Sequence, residues 1–211
     1  TDFDRTFTDE QLRLCPDAIA RCRELRRRGL RVLLVTGRAE EELPEGGAID
    51  GCFDAMVLEG GALWGLPGSL QRAPANDRLW ALAARLAAGG LDVRRGTCSF
   101  SVEAAAEPLL PVDDPHLTWK RNADRIDVTP PGVDKAFGLR QVLGTLGLQQ
   151  PPWVVAIGDS TNDVPFFAAA DLAVAVANAV PQLLEHADLQ APYPACQGFL
   201  WTTASLLEHV A

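Results

Sequence analysis

Four short polar signatures punctuate this 211-residue chain, and their placement constrains the fold more than any other feature. Asp2-Phe3-Asp4-Arg5-Thr6 opens the sequence. Thr36-Gly37-Arg38 follows the run Arg31 to Val35, and Gly158-Asp159-Ser160-Thr161-Asn162-Asp163 follows Trp153 to Ile157. Lys135 stands between them, in Gly132-Val133-Asp134-Lys135. Three of the four belong at strand ends and Lys135 at a helix start. Open, doubly wound sheets bind their ligands outside the carboxyl ends of their strands. The expected fold class is therefore α/β with a parallel sheet.

The intervening pattern agrees. Pro16 to Arg28 reads as a helix, with Ile19, Cys22 and Leu25 on one side, basic residues in the last turn and Gly29 as its stop. Arg31 to Val35 suits a strand buried on both faces, and Ala55 to Leu58 a weaker one. Gly60-Gly61 and Pro67-Gly68 break the rhythm. After Lys135 it resumes, with a helix over Asp134 to Leu146 and strands over Trp153 to Ile157 and Leu172 to Val176. Short closing helices are expected over Val180 to Ala187 and Ala204 to Val210. A strand is also expected ahead of Asp2, and thus about four to six apolar residues before Thr1.

Residues 66–129 have a different texture: an Ala- and Leu-rich helix over Ala75 to Ala88, then strands near Ser99 to Ala104, Leu117 to Arg121 and Arg125 to Thr129. The pair Asn122-Ala123 is the expected hairpin turn. This reads as a small α+β insert within a parent domain over residues 1–65 and 130–211.

A formal charge of −9 argues against nucleic acid, which rewards clustered Lys and Arg. No apolar run reaches the roughly 18 residues of a membrane helix. Any phosphate site in so acidic a chain must be made locally positive by a metal and a few basic groups. Cys15, Cys22, Cys52, Cys98 and Cys196 are odd in number, scattered and without a CxxC pair, so free thiols in a reducing cytoplasm are expected rather than zinc or a disulfide framework. His116, His186 and His209 read as surface residues.

Residues i and i+2 of an extended segment point the same way, so Asp2 and Asp4 can face one pocket. One carboxylate can attack phosphorus while the other exchanges a proton with the leaving oxygen. Alone, this triplet fits a turn of solvated carboxylates equally well. Asp159 and Asp163 strengthen it, because carboxylates clustered at a strand end need a cation, and Mg²⁺ prefers hard oxygen ligands. A capped helix start explains one of these acids but not both. The Thr36 hydroxyl and neighbouring amides can hold phosphate oxygens, and Lys135 can supply a fixed positive charge.

Taken with Ala175-Val176-Ala177-Asn178-Ala179, these motifs resemble the Cof-type branch of the haloacid dehalogenase (HAD) superfamily. The resemblance implies a doubly wound, Rossmann-like core with an inserted cap, similar in size to caps of archaeal-type phosphoglycolate phosphatases and sucrose-phosphate-phosphatase-like proteins. It implies Asp2 as nucleophile and Asp4 as general acid/base. Thr36, Gly37, Arg38, Lys135 and Asn162 would bind the phosphoryl group. Asp2, the Asp4 carbonyl, Asp159 and, in or beside the shell, Asp163 would hold Mg²⁺. The implied activity is hydrolysis of a small phosphorylated metabolite, phosphoglycolate or a sugar phosphate, through an aspartyl-phosphate. Transfer to a sugar hydroxyl and a non-catalytic domain of a larger protein are the alternatives, and the oligomeric state stays open. Two departures bear on substrate: Arg5 stands where the family usually has Gly, and Glu59-Gly60-Gly61-Ala62 stands for Glu-Asn-Gly-Ala. In the insert, Arg94, Arg95, Lys120 and Arg121 are either solvated charges or a site for a second anionic group.

Overall fold

The computed structural model describes residues 1–74, 76–122, 124–148, 150 and 152–209. Helix α1, Pro16–Arg27, starts on a proline, carries Asp17 in its first turn and Arg26 and Arg27 in its last, and ends at Gly29 with a φ of 87°. Strands β1 (Leu33–Val35) and β2 (Ala55–Leu58) follow and pair in parallel, Leu33 beside Ala55. Next come β3 (Leu63–Leu66), antiparallel to β2, and β4 (Ser69–Arg72), antiparallel to β3. The sequence reading missed this hairpin, taking Pro67-Gly68 as a break. The pair is its two-residue turn, with Gly68 at a φ of 80°.

The segment read from sequence as an insert has α2, Asp77–Ala88, as its helix, whose first amides are capped by the Asn76 side chain. Its strands are β5 (Val93–Arg95), β6 (Phe100–Glu103), β7 (Thr118–Asn122) and β8 (Arg125–Thr129), in the antiparallel order β5-β6-β8-β7. Phe100, Val102, Ile126 and Val128 pack with Leu79, Leu82 and Leu86 of α2 in a hydrophobic cluster of their own. Alternation along β8 then sends Asp127 and Thr129 to the opposite face, toward the parent domain. Ala123 of the expected turn lies outside the described residues.

Helix α3, Lys135–Thr145, is capped by the Asp134 carboxylate, which accepts from Phe137 N at 2.8 Å. It is followed by β9 (Val155–Gly158), α4 (Val164–Ala168), β10 (Leu172–Ala175), α5 (Pro181–Leu184), β11 (Leu189–Gln190) and α6 (Ala195–His209). Trp153, expected inside a buried strand, is 64% exposed and lies ahead of the ladder. Helix α6 starts nine residues earlier than its pattern suggested. Gly198 and Thr202-Thr203 weaken helix propensity there, but Phe199 is anchored in the core and packing overrides it.

Strands β9, β10 and β11 run parallel in a second sheet. Thr1 and Asp2 bridge the two sheets. Thr1 donates to Leu33 O at 2.8 Å and accepts from Val35 N at 2.9 Å, while Asp2 N donates to Ile157 O at 2.9 Å. The motif carboxylates thus emerge between β1 and β9. The expectation of free thiols is corrected: Cys15 and Cys196 form a disulfide across 181 residues, and Cys22, Cys52 and Cys98 are free and buried. No sequence spacing could show this pair, which meets because Cys196 N bonds Thr8 O and brings the start of α6 to that of α1. His116 and His186 are exposed as expected, while the side chain of His209 lies outside the described residues. No helix among the described residues is long and apolar enough to cross a membrane.

Candidate active site

Lys135 is a buried charge that faces other buried charges. Its Nζ lies 2.7 Å from Asp2 Oδ1 and 2.6 Å from Asp163 Oδ1, with the lysine side chain 1% exposed. Placement at the first turn of α3 points it across the strand ends, and Val133 and Ala136 bury the flanking backbone. Oxygens of Asp2, Asp159 and Asp163 gather within 4.8 Å of one another. Asp163 is fully committed: its other oxygen accepts from the backbone amides of Asp159 and Ser160, each at 3.1 Å. It therefore fixes both the lysine and the loop after β9. Asp2 and Asp159 keep lone pairs for a ligand. Three buried carboxylates against one ammonium leave a negative excess that suits a hard divalent cation.

Asp4 stands apart from that cluster, half-buried and gripped by Arg38, whose Nε and Nη2 lie 2.6–3.1 Å from its carboxylate. Arg38 also stacks over Phe3 at 5.0 Å and donates to Glu42 O. Thr36 is buried, and its hydroxyl accepts from Arg38 N at 3.2 Å. Gly37 is glycine because of the insert: a Cβ there would sit 2.6 Å from Asp127 Oδ2. Asn162 donates to that same oxygen at 3.3 Å, and its own Oδ1 is buried without a partner, as is Ser160 Oγ. Unpaired buried polar atoms are costly, so a ligand there is expected.

Burial, with added repulsion from Asp163 and Asp4, raises the Asp2 carboxyl to about 7 against the opposing pull of Lys135. Burial, then Asp2 and Asp163, raise Asp159 to about 8. Burial alone would lower Lys135, but Asp163 and Asp2 drive it upward and keep it charged. An unfolded aspartate titrates near 3.8. Between that pH and about 7 to 8 the native state holds more protons, so these two groups cost stability as pH rises. In EDTA the melting temperature should therefore fall from about pH 5 to pH 8, and Mg²⁺ should recover more of it at the upper end. A metal-induced shift equal at both ends would argue against binding to these carboxylates.

Sequence reasoning missed three contributors. Asp127 is buried on β8; a polar residue alternating with Ile126 and Val128 reads as a solvent-facing position. Glu59 is 1% exposed and reaches from the segment after β2 into the insert. It accepts from the amides of Thr97, Cys98 and Ser99 at 2.7, 2.8 and 2.9 Å and from Ser99 Oγ at 2.9 Å. Asn178, noted only as part of a motif, donates to Arg5 O at 3.1 Å and accepts from Ala195 N. That contact helps hold Arg5 in the left-handed region, at a φ of 54°, where a glycine would be at ease. Arg5 Nε lies 3.7 Å from Asp159 Oδ2.

In sequence and in fold the chain is similar to known proteins. The family model for haloacid dehalogenase-like hydrolases matches residues 111–201. Phosphoglycolate phosphatase of Methanothermobacter thermautotrophicus is 31% identical over 198 residues, 89% of this chain and 88% of that protein. Its counterpart in Haloarcula marismortui is 32% identical over 222 residues, 96% and 94% of the two. A solved sugar phosphatase of HAD subclass IIB is 15% identical and shares the fold, with a TM-score of 0.81 over 100% of this chain and 98% of that one. The chain belongs to the haloacid dehalogenase-like hydrolase family. Within that family it stands with the phosphatases.

Proposed function

We propose that the protein is a Mg²⁺-dependent phosphomonoesterase that hydrolyses a small phosphorylated metabolite, phosphoglycolate or a sugar phosphate, through an aspartyl-phosphate on Asp2. The observation that carries this reading is the buried Asp2 carboxylate, held by Lys135 at 2.7 Å beside Asp159 and Asp163. Asp2, Asp159 and the Asp4 carbonyl would hold the metal, with Asp163 beside them. When bound, the cation offsets repulsion between carboxylates and phosphate. Thr36, Gly37, Arg38, Lys135 and Asn162 position the phosphoryl group.

An Asp2 oxygen attacks phosphorus as the bond to the leaving oxygen breaks, and Asp4 donates a proton to that oxygen. Asp4 then takes a proton from water, whose oxygen attacks phosphorus and restores Asp2 with release of phosphate. Arg38 orients Asp4 for both transfers. We place the insert at residues 76–129 rather than from residue 66, because β4 pairs into the sheet of β1 and β2. The proposed location is the cytoplasm.

A phosphate-release assay over a panel of phosphorylated metabolites tests this. Release without any added sugar acceptor, lost in EDTA and recovered with Mg²⁺, is the expected outcome. No release from any substrate, or full activity in metal-free buffer, would overturn it.

A further inference from the structure

Arg5 is a motif residue with no part in the reaction proposed above, and it is held in an unfavourable conformation. Its φ of 54° lies in the left-handed region, where a side chain crowds the backbone and glycine does not. Such a conformation persists only where the surroundings over-determine it. Here they do. Arg5 N donates to Thr8 Oγ1 at 2.9 Å, and Arg5 O accepts from Asn178 Nδ2 at 3.1 Å. In a trans peptide the carbonyl lies opposite the N–H, so the bond to Thr8 also fixes the Asp4 carbonyl.

The side chain turns back toward Asp159. Arg5 Nε lies 3.7 Å from Asp159 Oδ2 and is buried without a hydrogen-bond partner, while the side chain as a whole is 38% exposed. Among the described residues this is the ion pair of Asp159, because Lys135 is divided between Asp2 and Asp163. The three carboxylates thus face one enclosed cation and a second at the rim. At 3.7 Å the guanidinium is beyond hydrogen-bond reach of Asp159 and does not orient it. Asn178 Nδ2, 3.4 Å from the same oxygen, is placed to do that. What Arg5 supplies is charge. A positive group beside a metal ligand offsets the attraction that draws another cation in, and repels that cation directly.

We infer that Arg5 is a positioning residue that acts through Asp159: it is a resident counterion that balances the carboxylate cluster before Mg²⁺ enters and holds the affinity for Mg²⁺ down. This deepens the proposed phosphatase reading and rests on its metal site. With glycine at residue 5 the same carboxylates would bind Mg²⁺ more tightly, and the backbone would lose its strain.

Isothermal titration of Mg²⁺ into the metal-free protein, at fixed ionic strength and without substrate, compares the parent with Arg5→Gln, Arg5→Lys and Arg5→Gly. Arg5→Gln removes the charge and keeps much of the side chain, so it should bind Mg²⁺ about tenfold tighter than the parent. Arg5→Lys keeps the charge and should stay within about threefold of the parent. Arg5→Gly repeats the neutral measurement if the glutamine variant fails to fold, since glycine adopts this φ freely, with circular dichroism as the check. Equal or weaker binding by the neutral variants, or tightening by lysine as large as by glutamine, overturns the assignment and leaves the metal site intact. Absence of Mg²⁺ binding by the parent and all three variants would instead overturn the metal reading beneath it.

Discussion

Asp2→Asn should abolish phosphate release, by roughly a thousandfold or more, while the protein stays folded. The amide cannot form an acyl-phosphate, so the loss falls on chemistry rather than on binding. Stability should move the other way. Asp2 is one of three buried carboxylates sharing a single ammonium, and neutralising it removes repulsion while the amide oxygen still accepts from Lys135. In EDTA near pH 8 the variant should melt no lower than the parent. Turnover within tenfold of the parent would remove Asp2 as nucleophile, and a lower melting temperature would contradict the electrostatic account of the cluster.

Lys135→Met should fail on both counts. Removing a preorganised charge from a transferring phosphoryl group costs on the order of a hundredfold in rate or more. It also strips Asp2 and Asp163 of the cation they share, and breaking a buried pair from one side costs about 3–5 kcal/mol. Denaturant unfolding and steady-state kinetics measure the two effects separately. Parent-like kinetics would return Lys135 to a purely structural role, and parent-like stability would mean that the carboxylates find another counterion.

The strands that were legible in sequence are those buried on both faces, such as β2 and β8, whose limits match the expected ones. What stayed hidden depends on partners far away in the chain. β3 is short, buried over Leu63 to Gly65 and broken by that glycine, while β4 is mostly exposed, so their ladder with β2 leaves no periodic trace. The Cys15–Cys196 bond likewise joins residues that only tertiary packing brings together. At the site, Asp2, Asp159, Asp163 and Lys135 could be placed in one cluster because each stands beside a recognisable strand end or helix start. Asp4 was expected to face the site and does so while resting on Arg38, a partner that alternation alone does not supply. Asp127 and Glu59 were invisible for another reason: each acts across the boundary between insert and parent, on backbone or side chains that no local pattern joins to it.

Glu59 bears on how the insert stays joined to the parent domain. Its carboxylate ties the segment after β2 to the turn at Thr97 to Ser99 using donors that all belong to the protein, so this link does not wait for substrate. Gly96 lets the turn come that near: a Cβ on it would lie 2.5 Å from the Glu59 carboxyl carbon. Moving that turn away from the segment after β2 means breaking four hydrogen bonds to one carboxylate together, so any opening there is all-or-none rather than gradual.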